Sequence, residues 1–114
     1  MNPRLAILCS IAALAIALAA PVPARAASIV GSCSIANGIS CADYEDMPAQ
    51  QPKEMCTKYG GKWSTAACPA AKRVGTCVQK QQPRGRILTH SYPPATAASA
   101  RKACANTPGG TFQP

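Results

Sequence analysis

The sequence predicts an α+β fold: a small disulfide-stapled domain built from two pseudo-repeats, each about β-β-α-β. Three observations predict it. Six cysteines lie within residues 27–114, a density typical of small exported scaffolds whose core is too slight to hold them alone. One order of landmarks occurs twice along those residues. Between the landmarks, short β-branched segments with turn signals give way to stretches of helix formers.

The first 26 residues read as a secretory signal peptide. Arg4 supplies an early positive charge, and Leu5 to Ala20 runs sixteen residues without another. Pro21 and Pro23 break any helix, since proline lacks the N–H that a helix interior needs. Ala24-Arg25-Ala26 is a small-x-small cleavage site, so the mature chain is expected to begin at Ala27. The apolar run falls short of the roughly 20 residues of a membrane span. Cys9 follows Leu8 inside that run, where a lipid anchor would need a small residue. The expected location is secreted or periplasmic, with no transmembrane anchor after cleavage.

Cys33, Cys41, Cys56, Cys68, Cys77 and Cys104 remain after cleavage. An even set in a small exported chain reads as three disulfides. Zinc would want C-x2-C pairs or Cys/His clusters, and the one histidine, His90, is far from any pair. No metal or other cofactor is expected.

The duplication is read from landmarks. Val30-Gly31-Ser32-Cys33 recurs as Val74-Gly75-Thr76-Cys77. Tyr44 stands twelve residues before Cys56, and Tyr92 twelve before Cys104. Gly60-Gly61-Lys62-Trp63 is matched by Gly109-Gly110-Thr111-Phe112. The offset is 44 at the first cysteine and 48 at the tyrosine, which implies a four-residue insertion between them. Such a period marks one supersecondary unit per copy. The boundaries are a first repeat over 27–69 and a second over 70–114, as one compact unit or two half-domains.

Each element has its own signal. Ser28 to Ser34 is short and β-branched, Asn37-Gly38 is a hairpin turn, and Ile39 to Tyr44 is the return strand. Gln50 to Tyr59 is a helix with Pro52 in its first turn, and Gly60 stops it. Trp63 begins a closing strand. In the second copy Arg73 to Gln79 and Arg86 to Tyr92 are the strands, joined by a turn at Gln82-Pro83-Arg84-Gly85. Pro94 to Cys104 is the helix, Gly109 its stop, and Phe112 the start of the last strand. Equivalent positions should form equivalent bonds. That selects Cys33–Cys56 and Cys77–Cys104 and leaves Cys41–Cys68 without a counterpart, Thr89 standing in the place of Cys41. A swapped pattern, Cys33–Cys104 with Cys56–Cys77, obeys the same symmetry. The aromatic residues Tyr44, Tyr59, Trp63, Tyr92 and Phe112 are expected in the core.

Catalytic parts are few, and no enzyme is expected. Asp43, Glu45, Asp46 and Glu54 are the only acids, and the first three flank a strand-to-helix junction where they suit helix capping. His90 could act as a base oriented by Asp43 only if the two halves meet there. The serines show no G-x-S-x-G. Charge is the asymmetric feature: residues 27–68 carry net −1 and residues 69–114 net +7. The bases of the second half, Lys72, Arg73, Lys80, Arg84, Arg86, Arg101 and Lys102, are a candidate anion-binding set for an anionic envelope polymer, a lipid or an acidic protein. Nucleic acid is not expected as a partner, since no interleaved aromatic surface or known module is evident.

C-x3-G-G-x-W over Cys56 to Trp63, the following Cys68-Pro69 and V-G-T-C at 74–77 resemble motifs of small exported cysteine-rich bacterial proteins without a described activity. The resemblance covers most of the mature chain and implies nothing about catalysis. Two classes of function are expected: a non-enzymatic exported module, structural or binding, and a cationic effector acting on anionic envelopes.

Overall fold

The computed structural model describes residues 28–114. The signal-peptide reading, its cleavage site and Cys9 lie outside the described residues. The elements follow in the order β1 (Ile29–Ile35), β2 (Ser40–Glu45), α1 (Gln50–Lys58), β3 (Lys62–Ser64), β4 (Gly75–Lys80), β5 (Arg86–Ser91), α2 (Ala97–Ala105) and β6 (Gly110–Gln113). The fold is α+β. All six strands form one antiparallel sheet, in the order β3-β1-β2-β5-β4-β6.

That order is unchanged when β1, β2, β3 are exchanged with β4, β5, β6 and the sheet is read from its other edge. The seam between the two blocks is β2–β5, paired from Ser40↔Ser91 to Glu45↔Arg86. Cys33 lies opposite Ala42 on one side and Trp63 on the other, while Cys77 lies between Thr89 and Phe112. By this register Thr89 stands in the place of Ala42, not of Cys41. Tyr44, opposite Gly31, corresponds to Ser91, opposite Gly75, and not to Tyr92. Eight residues separate Cys33 from Ala42 and eleven separate Cys77 from Thr89. The hairpin insertion is therefore three residues, and the fourth falls between β5 and α2. Matching tyrosines by spacing hid this, because a shift of one residue turns a strand side chain to the other face.

Residues paired across neighbouring strands share a face of the sheet. One face carries Cys33, Ala42, Thr89 and Cys77. There α1 packs on β1 and β3, pinned by Cys33–Cys56, and α2 packs on β4 and β6, pinned by Cys77–Cys104. Two glycines allow the aromatic residues to lie flat on this face. A Cβ on Gly31 would collide with the Trp63 ring, and one on Gly75 with the Phe112 ring. The opposite face carries Cys41, Asp43, Glu45, Leu88 and His90, and the connection 65–74 crosses it, pinned by Cys41–Cys68. Cys41 lies opposite His90, and Cys41, Cys68 and Tyr92 form a buried cluster. The third disulfide thus sits at the seam and does not serve the first half alone. Each such bridge in a small domain contributes about 2–5 kcal/mol.

Four local expectations change. The first hairpin turns through four residues between paired Ile35 and Ser40, with Ala36, Asn37 and Gly38 all at positive φ, so Asn37-Gly38 is not a two-residue turn. Helix α2 starts at Ala97, because Thr96 and Ser99 form a reciprocal capping box ahead of it. It ends at Ala105 with Asn106 as its C-cap, and Gly109, at φ 71°, turns the chain into β6 rather than capping the helix. Tyr59 is 71% exposed and takes no part in the core.

Candidate functional site

The alternation of β2 places Cys41, Asp43 and Glu45 on one face, all buried. Asp43 and Glu45 are not helix caps. Asp43 Oδ1 accepts the Cys68 backbone N–H at 2.8 Å, and its Oδ2 lies 2.8 Å from His90 Nε2. Thr76 Oγ1 lies 2.7 Å from His90 Nδ1. With the ring neutral, as its lowered pKa favours, Nε2–H donates to Asp43 and Nδ1 accepts the Thr76 hydroxyl. Burial pushes the His90 pKa below the ordinary 6.5, against the opposing pull of the Asp43 hydrogen bond.

Arg73 closes the network from the connection above. Its guanidinium donates to the Pro69 and Cys68 carbonyls and lies 3.9 Å from Asp43 Oδ2. The Tyr92 hydroxyl donates to the Pro69 carbonyl at 2.7 Å, and Ser32 Oγ to the Ala66 carbonyl. Further along the seam, Arg86 Nε donates to Glu45 Oε2 at 2.7 Å. No buried side-chain nitrogen or oxygen is left without a partner among the described residues.

The two halves do meet at Asp43 and His90. The row Thr76–His90–Asp43 has the residue types and hydrogen-bond order of a hydrolase triad, with Asp43 and His90 buried and Thr76 half-buried. The connection 65–74 lies over the carboxylate, through the Cys68 N–H on Asp43 Oδ1. Asp43, Cys68 and His90 also place ligand atoms within 4.8 Å of one another. Cys68 is held in a disulfide, so the group has no thiolate to offer a metal. The arrangement locks the 65–74 connection onto the sheet.

Sequence reasoning missed Thr76 and Arg73 in these roles. In V-G-(S/T)-C the hydroxyl residue precedes a cysteine that faces the helices, so strand alternation turns Ser32 and Thr76 to the opposite face. The same alternation in Cys41-Ala42-Asp43-Tyr44-Glu45 signals two acids in a buried row.

The seven candidate anion-binding residues divide. Arg73 and Arg86 compensate the buried acids. Arg101 lies over the Phe112 ring at 4.4 Å, a cation–π contact on α2. Lys102 is exposed beside it, and Lys72 is exposed on the 65–74 connection, at φ 65°. Lys80 and Arg84 are exposed at the tip of the β4–β5 hairpin, with no ion pair among the described residues. Lys80, the last residue of β4, and Arg84, in the turn after it, belong to one hairpin, whereas Lys72 and the α2 pair belong to other elements.

No helix among the described residues is long and apolar enough to cross a membrane. Comparison with protein-family models, characterised proteins and solved structures returned no match.

Proposed function

We propose that this small disulfide-rich domain is a non-enzymatic exported binding module, its contact surface being the basic tip of the β4–β5 hairpin and its ligand an anionic component of the cell envelope. The observation that carries the reading is that Lys80, at the end of β4, and Arg84, in the turn that follows, are both exposed and without acidic partners among the described residues. Three disulfides suit an oxidising compartment. The internal use of His90, with all six cysteines of the described chain in bridges, supports the non-enzymatic part of the reading.

Binding of the oxidised chain to anionic vesicles, followed over a salt titration, tests it. Affinity should fall as salt rises, and Lys80→Ser/Arg84→Ser should weaken binding about fivefold or more. Salt-independent binding, or no effect of the double substitution, would reject the hairpin as the contact. Leakage of vesicle contents in the same titration would instead identify a cationic effector.

A further inference from the structure

The β4–β5 hairpin is longer than the β1–β2 hairpin by one ladder pair and one turn residue. At the end of the sheet where β2 runs toward α1, Gln81, Gln82, Pro83 and Arg84 rise as one wall of a groove of about 620 Å³. Met47, Pro48, Pro52 and Met55, from the start of α1 and the connection before it, form the other wall. Tyr44 and Ile87, paired across the seam, form the floor. The volume is within the about 300–1,000 Å³ of small-molecule sites. Its surface is chiefly Met, Pro, Ile and the face of one tyrosine. Methionine adapts to flexible apolar shapes, and Met55 stands 42% exposed here. Burial raises the Tyr44 pKa above 10, so the hydroxyl stays protonated.

The polar rim is unequal. Asp46 lies on one side, its carboxylate accepting the Ser28 backbone N–H at 3.3 Å. Arg84 stands on the other, in no ion pair among the described residues. An apolar trough ending at an uncompensated guanidinium complements an apolar chain ending in an anion.

We infer that this groove binds the monomer of a single-chain amphiphile with an anionic head, the chain against Tyr44, Met55 and Ile87 and the carboxylate or phosphate at Arg84. The inference does not rest on envelope binding, which needs the exposed cations but not the apolar walls.

The test titrates the oxidised chain beginning at Ala27 with dodecanoate and with dodecyl phosphate, each below its micelle concentration. Calorimetry and Trp63 emission follow binding, the Trp63 ring lying 5.7 Å from that of Tyr44. Dodecyltrimethylammonium is the control of opposite charge. Saturable one-site binding of the two anions, at least about tenfold tighter than the cation, is expected. The tighter of the two anions identifies the head as carboxylate or phosphate. Arg84→Ser should weaken both anions about fivefold, and Met55→Ser, which changes no charge, should weaken them by a similar factor while leaving anionic-vesicle binding intact. NMR shift changes confined to Tyr44, Met55 and Ile87 give a readout that needs no variant. Equal binding of cation and anion, or shifts elsewhere on the surface, would overturn the inference. So would a groove that accepts the probes in the chain from Ala27 but is closed to them in the full chain from Met1, which would make the apolar leader its occupant.

Discussion

The two halves of the sheet share a packing plan and differ in chemistry. Gly31 meets Trp63 as Gly75 meets Phe112, and each first cysteine is bonded to its helix in the same way. Along the seam the resemblance stops. In the first half β2 presents Asp43 and Glu45, while in the second β5 presents His90 and Arg86 to receive them. The positions that hold each helix against the sheet carry glycine, cysteine and a ring in both halves. On the opposite face the two halves differ, and along the seam their charges are complementary. Part of the basic excess of the second half is therefore internal compensation, and only the remainder is available to a partner.

The largest effect should come from cutting the complementarity itself. Asp43→Ala leaves the Cys68 N–H and the His90 Nε2–H without their acceptor and removes the carboxylate 3.9 Å from Arg73, and loss of one member of a buried charged network costs about 3–5 kcal/mol. Urea denaturation of the variant should show it. A loss under about 1 kcal/mol would mean that the 65–74 connection is held by Cys41–Cys68 alone.

Next comes the bridge that belongs to one half only. The substitutions Cys77→Ala/Cys104→Ala should cost about 2–5 kcal/mol. Because β2 and β5 pair without a break, Trp63 fluorescence and far-UV circular dichroism should fall at one midpoint. Loss of helix signal with Trp63 still buried would separate the halves into independent units.

A smaller and reversible perturbation is protonation across the seam. His90 has a native pKa below 6.5, its ordinary value in the unfolded chain. Its contribution is fully present above pH 6.5. It is lost as pH falls from 6.5 through the native pKa, because the unfolded chain then binds a proton that the native ring resists. The stability difference between the native sequence and His90→Gln should shrink over that window. A difference that stays constant from pH 8 to pH 5 would show that the ring titrates alike in both states.

The smallest effect sharpens the comparison between helices. Thr96→Ala should cost about 1 kcal/mol by removing the cap of α2. Ala49→Thr should return almost nothing to α1, because Ala49 is already helical at φ −76°, ψ −22° and lacks the extended backbone of a capping residue. A matching gain at position 49, seen as a rise in thermal midpoint, would contradict that geometry.

The framework was legible because it depends on features written locally. Turn residues, β-branched runs and two helix-forming stretches located the strands and helices to within a few residues. Equivalent cysteines select the bonds that the structure contains. What could not be read is register. Tyr44 and Tyr92 share a spacing to the following cysteine, yet one added residue before α2 turns them to different faces. The buried network stayed hidden for the same reason, since Asp43 and His90 lie 47 residues apart and only pairing of β2 with β5 brings them together. The groove was invisible because an insertion in a turn looks like slack until the opposing wall is placed.

The disulfide connectivity also bears on the order in which the protein can be made. Every bridge closes over 23 or 27 residues, and none joins the segment 33–68 to the segment 77–104. A chain released N-terminus first into an oxidising compartment can complete Cys33–Cys56 and Cys41–Cys68 before Cys77 arrives. At that stage four cysteines offer three pairings instead of the fifteen open to six, and the last two thiols then have only each other.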